Sequence, residues 1–344
     1  MMIKHNAFNA DEKILKHIDK LNNFYNGHKT LIVAELDLTN RCNNNCPKCI
    51  GNRENGEELS LFQIKNIVES LREIEVRGVI LSGGGDPLVS PHFIKAIDLL
   101  RKAGIKIGVN SNGVALDETK SVCIAESCEF FRVSLDAANH EMYTITHGMS
   151  ASIFDKVVEN CKRFVEIRQT LESRTSFGIG YLTCVDTILD MENFVKLTRD
   201  IGADFAQFRP FQDDTEDVSN EILRLQNLYG TDRYHVTGSL QKYREMVKMQ
   251  SEDSRLYKNC MGMFFSTVIT ADAKVFSCLH HRQSQRHYLG NLNTHTLTEI
   301  IRSARMREVY ESIDCSSCPS LCRNDAFNRT LNTLSMDVNH IEFL

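Results

Sequence analysis

The sequence predicts an α/β protein built on parallel strands, followed by a smaller cysteine-rich α+β region. Three observations predict it. Between residues 31 and 210, six short apolar runs of strand type alternate with segments of helical period. Such alternation implies parallel pairing through crossover helices. The alternation stops after Pro210. Cysteines then gather near the end of the chain, around a hairpin-like pair of runs and a late loop.

Residues 1–30 read as a polar amphipathic helix and a turn at Gly27. The strand candidates are Leu31–Leu38, Gly78–Leu81, Ile105–Val109, Phe130–Leu135, Ser176–Thr183 and Asp204–Phe208. Ser60 with Gln63 forms a capping box ahead of Leu61, Ile64, Ile67, Val68 and Leu71, which share one helical face. Ser90 caps the next helix, with Pro91 at its first position and Gly104 past its end. Residues 212–220 are acidic and polar, a loop or linker, and helical segments follow near 219–229 and 238–250. The last region opens with Phe264–Thr270 and Lys274–Cys278, paired around Ala271–Ala273, and continues in a helix from Thr296, boxed by Glu299. The expected organisation is an N-terminal helix (1–30), the strand–helix domain (31–212), a helical linker (213–258) and a cysteine-rich domain (259–344).

The 344 residues are enough for one large and one small domain. With 42% hydrophobic and 25% charged residues, the chain is not disordered, collagenous or coiled-coil. The net charge of −5 gives no nucleic-acid footprint. No apolar run approaches the length of a membrane span, about 18 residues, and the N-terminus lacks a signal-peptide core. The expected location is the cytoplasm, where thiols stay reduced.

Cysteine is the anomaly: 12 in a chain without tryptophan and with 5 prolines. In a reducing compartment, cysteines at short spacings read as metal or cluster ligands. Cys42, Cys46 and Cys49 follow the first strand directly. That places them at the C-terminal mouth of a parallel barrel, where such folds carry their chemistry. Three thiolates at this spacing wrap one corner of a cubane and leave an iron open to substrate or cofactor. A structural zinc, which wants four ligands, is the rival.

The stretch ELDLTNRCNNNCPKC resembles the cluster loop of the radical SAM superfamily, and the resemblance spans about residues 31–210. It implies a partial (β/α)6 TIM barrel. It also implies a 4Fe–4S cluster on Cys42, Cys46 and Cys49 whose unique iron binds S-adenosylmethionine (SAM). One-electron reduction then breaks the sulfonium C5′–S bond, and the resulting 5′-deoxyadenosyl radical takes hydrogen from substrate. A one-electron donor such as flavodoxin or ferredoxin is the implied partner, with no nucleic acid and no membrane.

Further motifs carry the same resemblance. Gly83-Gly84-Gly85-Asp86-Pro87 is similar to the family's GGEP motif, with Asp86 where Glu is usual; its backbone is expected to hold the SAM amino group. Asn110 and Asn112 end the third strand, and Ser134 and Asp136 end the fourth. They are expected to bond the SAM ribose or carboxylate; capping of the following helices is the alternative. Gln207 and Arg209 close the sixth strand in a QFRP ending, and Arg209 suits a carboxylate or phosphate unless it forms a structural ion pair. Cys184 ends the fifth strand, either as a hydrogen donor to a product radical or as a buried thiol. Cys123, Cys128 and Cys161 read as core.

Cys260, Cys278, Cys315, Cys318 and Cys322 resemble the ligand layout of SPASM/twitch extensions over about residues 255–325, with Ala273 in a glycine slot. Five cysteines fit one auxiliary 4Fe–4S cluster, with Cys260, Cys278, Cys315 and Cys318 as ligands and Cys322 as the fifth thiol. Zinc stays open, since CxxC pairs bind it well.

About 30 residues precede the first strand, too few for a leader-peptide-binding domain, which favours a small polar metabolite. The specific expectation is a modified 7-deazapurine base, as in queuine lyase, with Tyr181, Phe205 and Phe208 as stacking candidates and Asp136 facing the base edge. The alternatives are a sugar or aminocyclitol dehydrogenase or lyase, a leader-independent peptide maturase, and a non-catalytic metal-binding scaffold.

Overall fold

A computed structural model describes residues 13–336 apart from 29, 52–55, 212–215, 241–242, 244–254, 256 and 319–321. All six expected strands form: β1 (Val33–Asp37), β2 (Gly78–Ser82), β3 (Lys106–Ser111), β4 (Phe130–Ser134), β5 (Ser176–Thr183) and β6 (Phe205–Pro210). They pair in chain order and in parallel. Crossover helices join them: α2 (Leu61–Glu73), α3 (Phe93–Lys102), α4 (Glu118–Ser127), α5 (His140–His147) with α6 (Ala151–Thr170), and α7 (Met191–Ile201). A shorter α1 (Ile18–Tyr25) precedes β1; the first twelve residues of the expected N-terminal helix lie outside the described set.

Strand alternation decides what faces where. Residues of one parity are apolar and almost fully buried: Leu36, Leu81, Val109, Phe131, Val133, Ile179 and Phe208. They meet the helices, as where Phe131 packs on Phe164 of α6 and Phe208 on Phe194 of α7. The opposite parity, Glu35, Ile80, Asn110, Arg132, Gln207 and Arg209, lines a central cavity of about 1710 Å³. The sheet is therefore an open barrel with an apolar face toward the helices and polar and charged side chains set among apolar ones inside.

The helix signals hold with one shift. Ser60 and Gln63 make both bonds of the capping box before α2, whose Ile64, Ile67, Val68 and Leu71 are buried. Helix α3 starts at Phe93 rather than Pro91, because the Ser90 hydroxyl accepts from the His92 N–H (3.3 Å) and holds a turn first. Gly104 ends it with φ +74°, where a side chain would be strained.

Two features depart from the sequence reading. Residues 213–258, expected as a helical linker, contain α8 (Ser219–Tyr229) and then β7 (His235–Gly238), parallel to β6. Four residues, of which only Val236 is large and apolar, are too few to show an alternating pattern. The helix expected at 238–250 lies largely outside the described residues, as does part of the 212–220 loop. The C-terminal strands β8 (Ser266–Ile269), β9 (Lys274–Phe276) and β10 (Tyr288–Asn291) also join the same sheet. Strand β8 pairs in parallel with β1, and β9 and β10 continue antiparallel. Helices α9 (Leu297–Arg302), α10 (Ala304–Ser312) and α11 (Asp325–Ser335) complete the region. Among the described residues no helix is long and apolar enough to cross a membrane.

Candidate functional site

Parallel strands bring every strand's C-terminal loop to one end of the barrel. There the cysteine loop after β1 lies on the glycine loop after β2. Gly85 N–H donates to the Thr39 carbonyl (3.0 Å) and Asp86 N–H to the Arg41 carbonyl (2.9 Å). A Cβ at Gly85 would stand 2.0 Å from the Arg41 oxygen, and one at Gly51 2.3 Å from the Gly84 oxygen. Only glycine permits this approach from either side. The buried Asp86 carboxylate accepts from Leu88 N–H (2.9 Å), Ser111 Oγ (2.9 Å) and Asn112 N–H (2.7 Å). It ties the glycine loop to the end of β3, and burial pushes its carboxyl up against those bonds.

Cys42 and Cys46 are half-buried and Cys49 is exposed. Cys46, Cys49 and Gly83 line the mouth of the cavity. Three N–H groups point at sulfur: Asn44 N to Cys42 Sγ (3.5 Å), Gly51 N to Cys49 Sγ (3.3 Å) and Asn112 Nδ2 to Cys42 Sγ (3.7 Å). A soft thiol set with amide donors aimed at its sulfurs suits an iron–sulfur cluster.

Asn110, Ser134, Asp136, Gln207, Arg209 and Cys184 all line the cavity. Asn110 Oδ1 is buried without a hydrogen bond. Asp136 adopts φ +47°, and its Oδ1 accepts from Leu182 N–H (2.7 Å). Asn112 does not cap the following helix, whose cap is Asp117; its Oδ1 accepts from Val114 N–H (3.0 Å) in a local turn and its Nδ2 donates to Asn43 Oδ1 (2.6 Å). Cys184 is buried, and the Thr187 hydroxyl donates to its Sγ (3.7 Å). Cys128 and Cys161 are buried on or beside helices as expected, with Cys123 half-buried.

The stacking candidates separate. Tyr181 and Phe208 have the outward parity, pack with Phe194 of α7, and do not line the cavity; the Tyr181 hydroxyl donates to the Thr187 carbonyl (2.8 Å). They are therefore corrected to core residues. Phe205 has inward parity and lines the cavity floor, filling the space that a Cβ at Gly178 would need.

The C-terminal thiols converge. All are free thiols within hydrogen-bonding reach of one another: Cys315 faces both Cys260 and Cys318, Cys318 also faces His281, and Cys278 faces Cys322. Cys260 is pushed down to about 7, chiefly by Cys315. Cys318 falls to about 5, by Cys315 and then the His281 contact. Cys315 and Cys322, which donate, are pushed up. Asn328 Nδ2 (3.4 Å) and Asn324 Nδ2 (3.7 Å) point at Cys260 Sγ, and Asn324 N–H (3.3 Å) at Cys322 Sγ. Among the described residues no three His, Cys, Asp or Glu side chains close around one ion. The donor chemistry is again that of thiolates stabilised by amide N–H groups, which fits a multi-iron cluster.

Sequence reasoning missed six residues here. Arg132 on β4 lines the cavity, and its Nη1 donates to Gln207 Oε1 (2.7 Å). Its place two residues before Ser134 was the available signal. Glu35 meets Arg323 (2.8 Å) and Arg282 (3.6 Å), and Arg282 also lies 3.2 Å from Asp37. His281 joins the C-terminal thiols. No local pattern marks these contacts, which join β1 to residues about 250 or more positions away.

A family model described as the radical SAM superfamily matches residues 36–194, and one described as an iron–sulfur cluster-binding domain, SPASM, matches residues 260–324. The chain is 33% identical over 146 residues to the 7,8-dihydro-6-hydroxymethylpterin dimethyltransferase of Methanocaldococcus jannaschii, covering 40% of this chain and 29% of that protein. It thus spans under a third of that relative's length. It is 23% identical over 278 residues to the GTP 3′,8-cyclase of Chlorobaculum tepidum, covering 74% of this chain and 81% of that protein. The fold is similar to that of Streptococcus suis SuiB bound to precursor peptide SuiA, with a TM-score of 0.65 and 15% identity over 88% of this chain and 70% of that one. It is also similar to native anSMEcpe with bound AdoMet, with a TM-score of 0.60 and 17% identity over 88% and 98%.

Proposed function

The chain belongs to the radical SAM superfamily and carries a SPASM iron–sulfur cluster-binding domain, and from that premise we propose an enzyme that takes hydrogen from a small polar metabolite. When bound, a 4Fe–4S cluster and SAM supply one-electron cleavage of the sulfonium and a carbon radical that abstracts hydrogen. Cys42, Cys46 and Cys49 would hold that cluster. The backbone of Gly83–Gly85 would take the SAM amino group, with Asn110, Ser134, Asp136 and Gln207 orienting the rest. Cys184, buried at the cavity wall, would give a hydrogen atom to the product radical, and a second electron from the external donor together with a proton would restore its thiol. Arg209 would anchor the substrate. Cys260, Cys278, Cys315 and Cys318 would hold the auxiliary cluster, with Cys322 and His281 beside them. The electron comes from an external one-electron donor of the flavodoxin or ferredoxin class.

One observation carries this reading: the three thiols and the glycine loop are clamped together at the rim of the barrel cavity. Arg132, Gln207 and Arg209 on the cavity wall suit a substrate with a polar head. A 7-deazapurine base stays one member of the substrate screen, alongside sugars and aminocyclitols, since two of its three stacking candidates face the helices. The test is anaerobic reconstitution with iron and sulfide, then dithionite and SAM, with 5′-deoxyadenosine measured by mass. Wild type is expected to form it. Cys46→Ala is expected to lose at least 100-fold while keeping its circular dichroism spectrum. Equal 5′-deoxyadenosine from that variant would defeat the reading.

A further inference from the structure

Toward the C-terminal ends of β4 and β6, two guanidinium groups share one space inside the barrel. Arg132 on β4 and Arg209 on β6 flank β5, and β5 presents Gly180 between them. A Cβ on Gly180 would stand 3.4 Å from Arg209 Nη2 and 3.6 Å from Arg132 Cδ. A Cβ there would already touch both arginine side chains, so any larger side chain would enter the space they share. Each Nε is fully buried and without a hydrogen bond.

No carboxylate pairs with either arginine among the described residues. The acids nearby are engaged elsewhere. Asp136 accepts from Leu182 N–H, and Glu35 is held by Arg323 and Arg282. The one polar partner is Gln207, which takes a single Arg132 N–H and carries no charge. On the next strand, Asn110 stands in register with Arg132. Burial and then the neighbouring Arg209 charge push the Arg132 guanidinium down, which marks how poorly the second cation is tolerated there. Asp136 and Glu35 act on Arg132 only from a distance, and like charges held together with no carboxylate in contact are unfavourable unless an anion joins them. Paired guanidinium forks match the planar or tetrahedral oxygens of carboxylate and phosphate.

We propose that Arg132 and Arg209, on either side of Gly180 and with Arg132 oriented by Gln207, form the seat for an oxyanion, the carboxylate or phosphate head of the substrate. This deepens the radical SAM reading by naming a substrate class. The two guanidiniums anchor the head against the cavity wall formed by β4 to β6, leaving the rest of the substrate free to lie toward the thiol-bearing loops where hydrogen is taken.

The test uses the full, cluster-loaded chain and inorganic phosphate, with sodium chloride matching ionic strength. Phosphate is expected to raise the wild-type Tm by about 3 °C at ten times its Kd. In Arg132→Met the rise should vanish, while the phosphate-free Tm is unchanged or higher, because a repelled buried cation is gone. A merely structural arginine would lower that Tm. Gly180→Val, which alters no charge, should weaken phosphate at least tenfold, and Arg132→Lys should keep part of the rise. A phosphate-insensitive wild type, or an Arg132→Met protein that keeps the full shift, overturns the seat. SAM titrated with and without phosphate separates the sources of the anion. Independent binding supports a substrate head, and competition assigns the site to the SAM carboxylate, overturning the proposal. A phosphate shift without 5′-deoxyadenosine would fail the enzymatic reading alone; 5′-deoxyadenosine without a shift would fail the seat alone.

Discussion

Asp37 is the most confined carboxylate of β1: its side chain is wholly buried, and Arg282 Nη1 stands 3.2 Å from it. Burial pushes its carboxyl up to about 7, more than the Arg282 charge pulls it down. An unfolded aspartate titrates near 3.9. The folded form therefore holds its proton more tightly, and the group's contribution to stability is present below about 4 and lost as pH rises through 7. Asp37→Asn removes that dependence. Urea unfolding between pH 5 and 8 should show wild-type stability falling relative to Asp37→Asn as pH rises. Parallel pH profiles would show that the site does not bind a proton on folding. The same residue-scale logic separates Phe205 from Phe208, three positions apart in chain and on opposite faces of the sheet, one in the cavity and one in the core.

The two loops at the mouth act as a single element because backbone meets backbone. Gly85 and Gly51 sit where each loop needs a missing side chain. Gly85→Ala puts a methyl 2.0 Å from a main-chain oxygen, where no side-chain rotation relieves the clash. We expect a loss of about 3 kcal/mol and reduced iron loading at the first site, with loading at the C-terminal thiols kept. Thermal melts and iron analysis of anaerobic protein check both, and an unaltered melt would show that the loops are not clamped. Asp86 plays its part from below, holding the end of β3 through three donors rather than facing a ligand. Its shorter side chain, in place of the family's glutamate, is consistent with this inward tether.

Across the whole molecule, residues near the C-terminus complete the barrel that the N-terminal half begins. Strand β8 extends the sheet at the β1 edge, and Arg282 and Arg323 reach back to Glu35 and Asp37. The loop that carries Cys278 is thereby fixed to the strand that feeds Cys42. Arg282 is almost wholly buried, as are both its partners. Arg282→Ala should cost about 3–5 kcal/mol, since it leaves buried carboxylates without that cation. The loss should shrink at low pH, where Asp37 is neutral. Denaturation of the anaerobic holoprotein at pH 5 and 8 measures it, and a change under 1 kcal/mol at both would refute the coupling.

Local order was legible in the chain because local chemistry sets it. Apolar runs, Ser60 with Gln63, Thr296 with Glu299 and Gly104 specify strands, caps and a stop within a few residues of themselves. The cysteine spacings marked both thiol groups for the same reason. The four-residue β7 was too short to carry a period. The facing of Tyr181 and Phe208 followed from strand parity once the inner face was known. The meetings of Arg132 with Arg209 across Gly180, of Arg282 with Asp37, and of His281 with Cys318 depend on strand order and register. Those are settled only when the whole sheet assembles, and no short-range pattern in the chain encodes them.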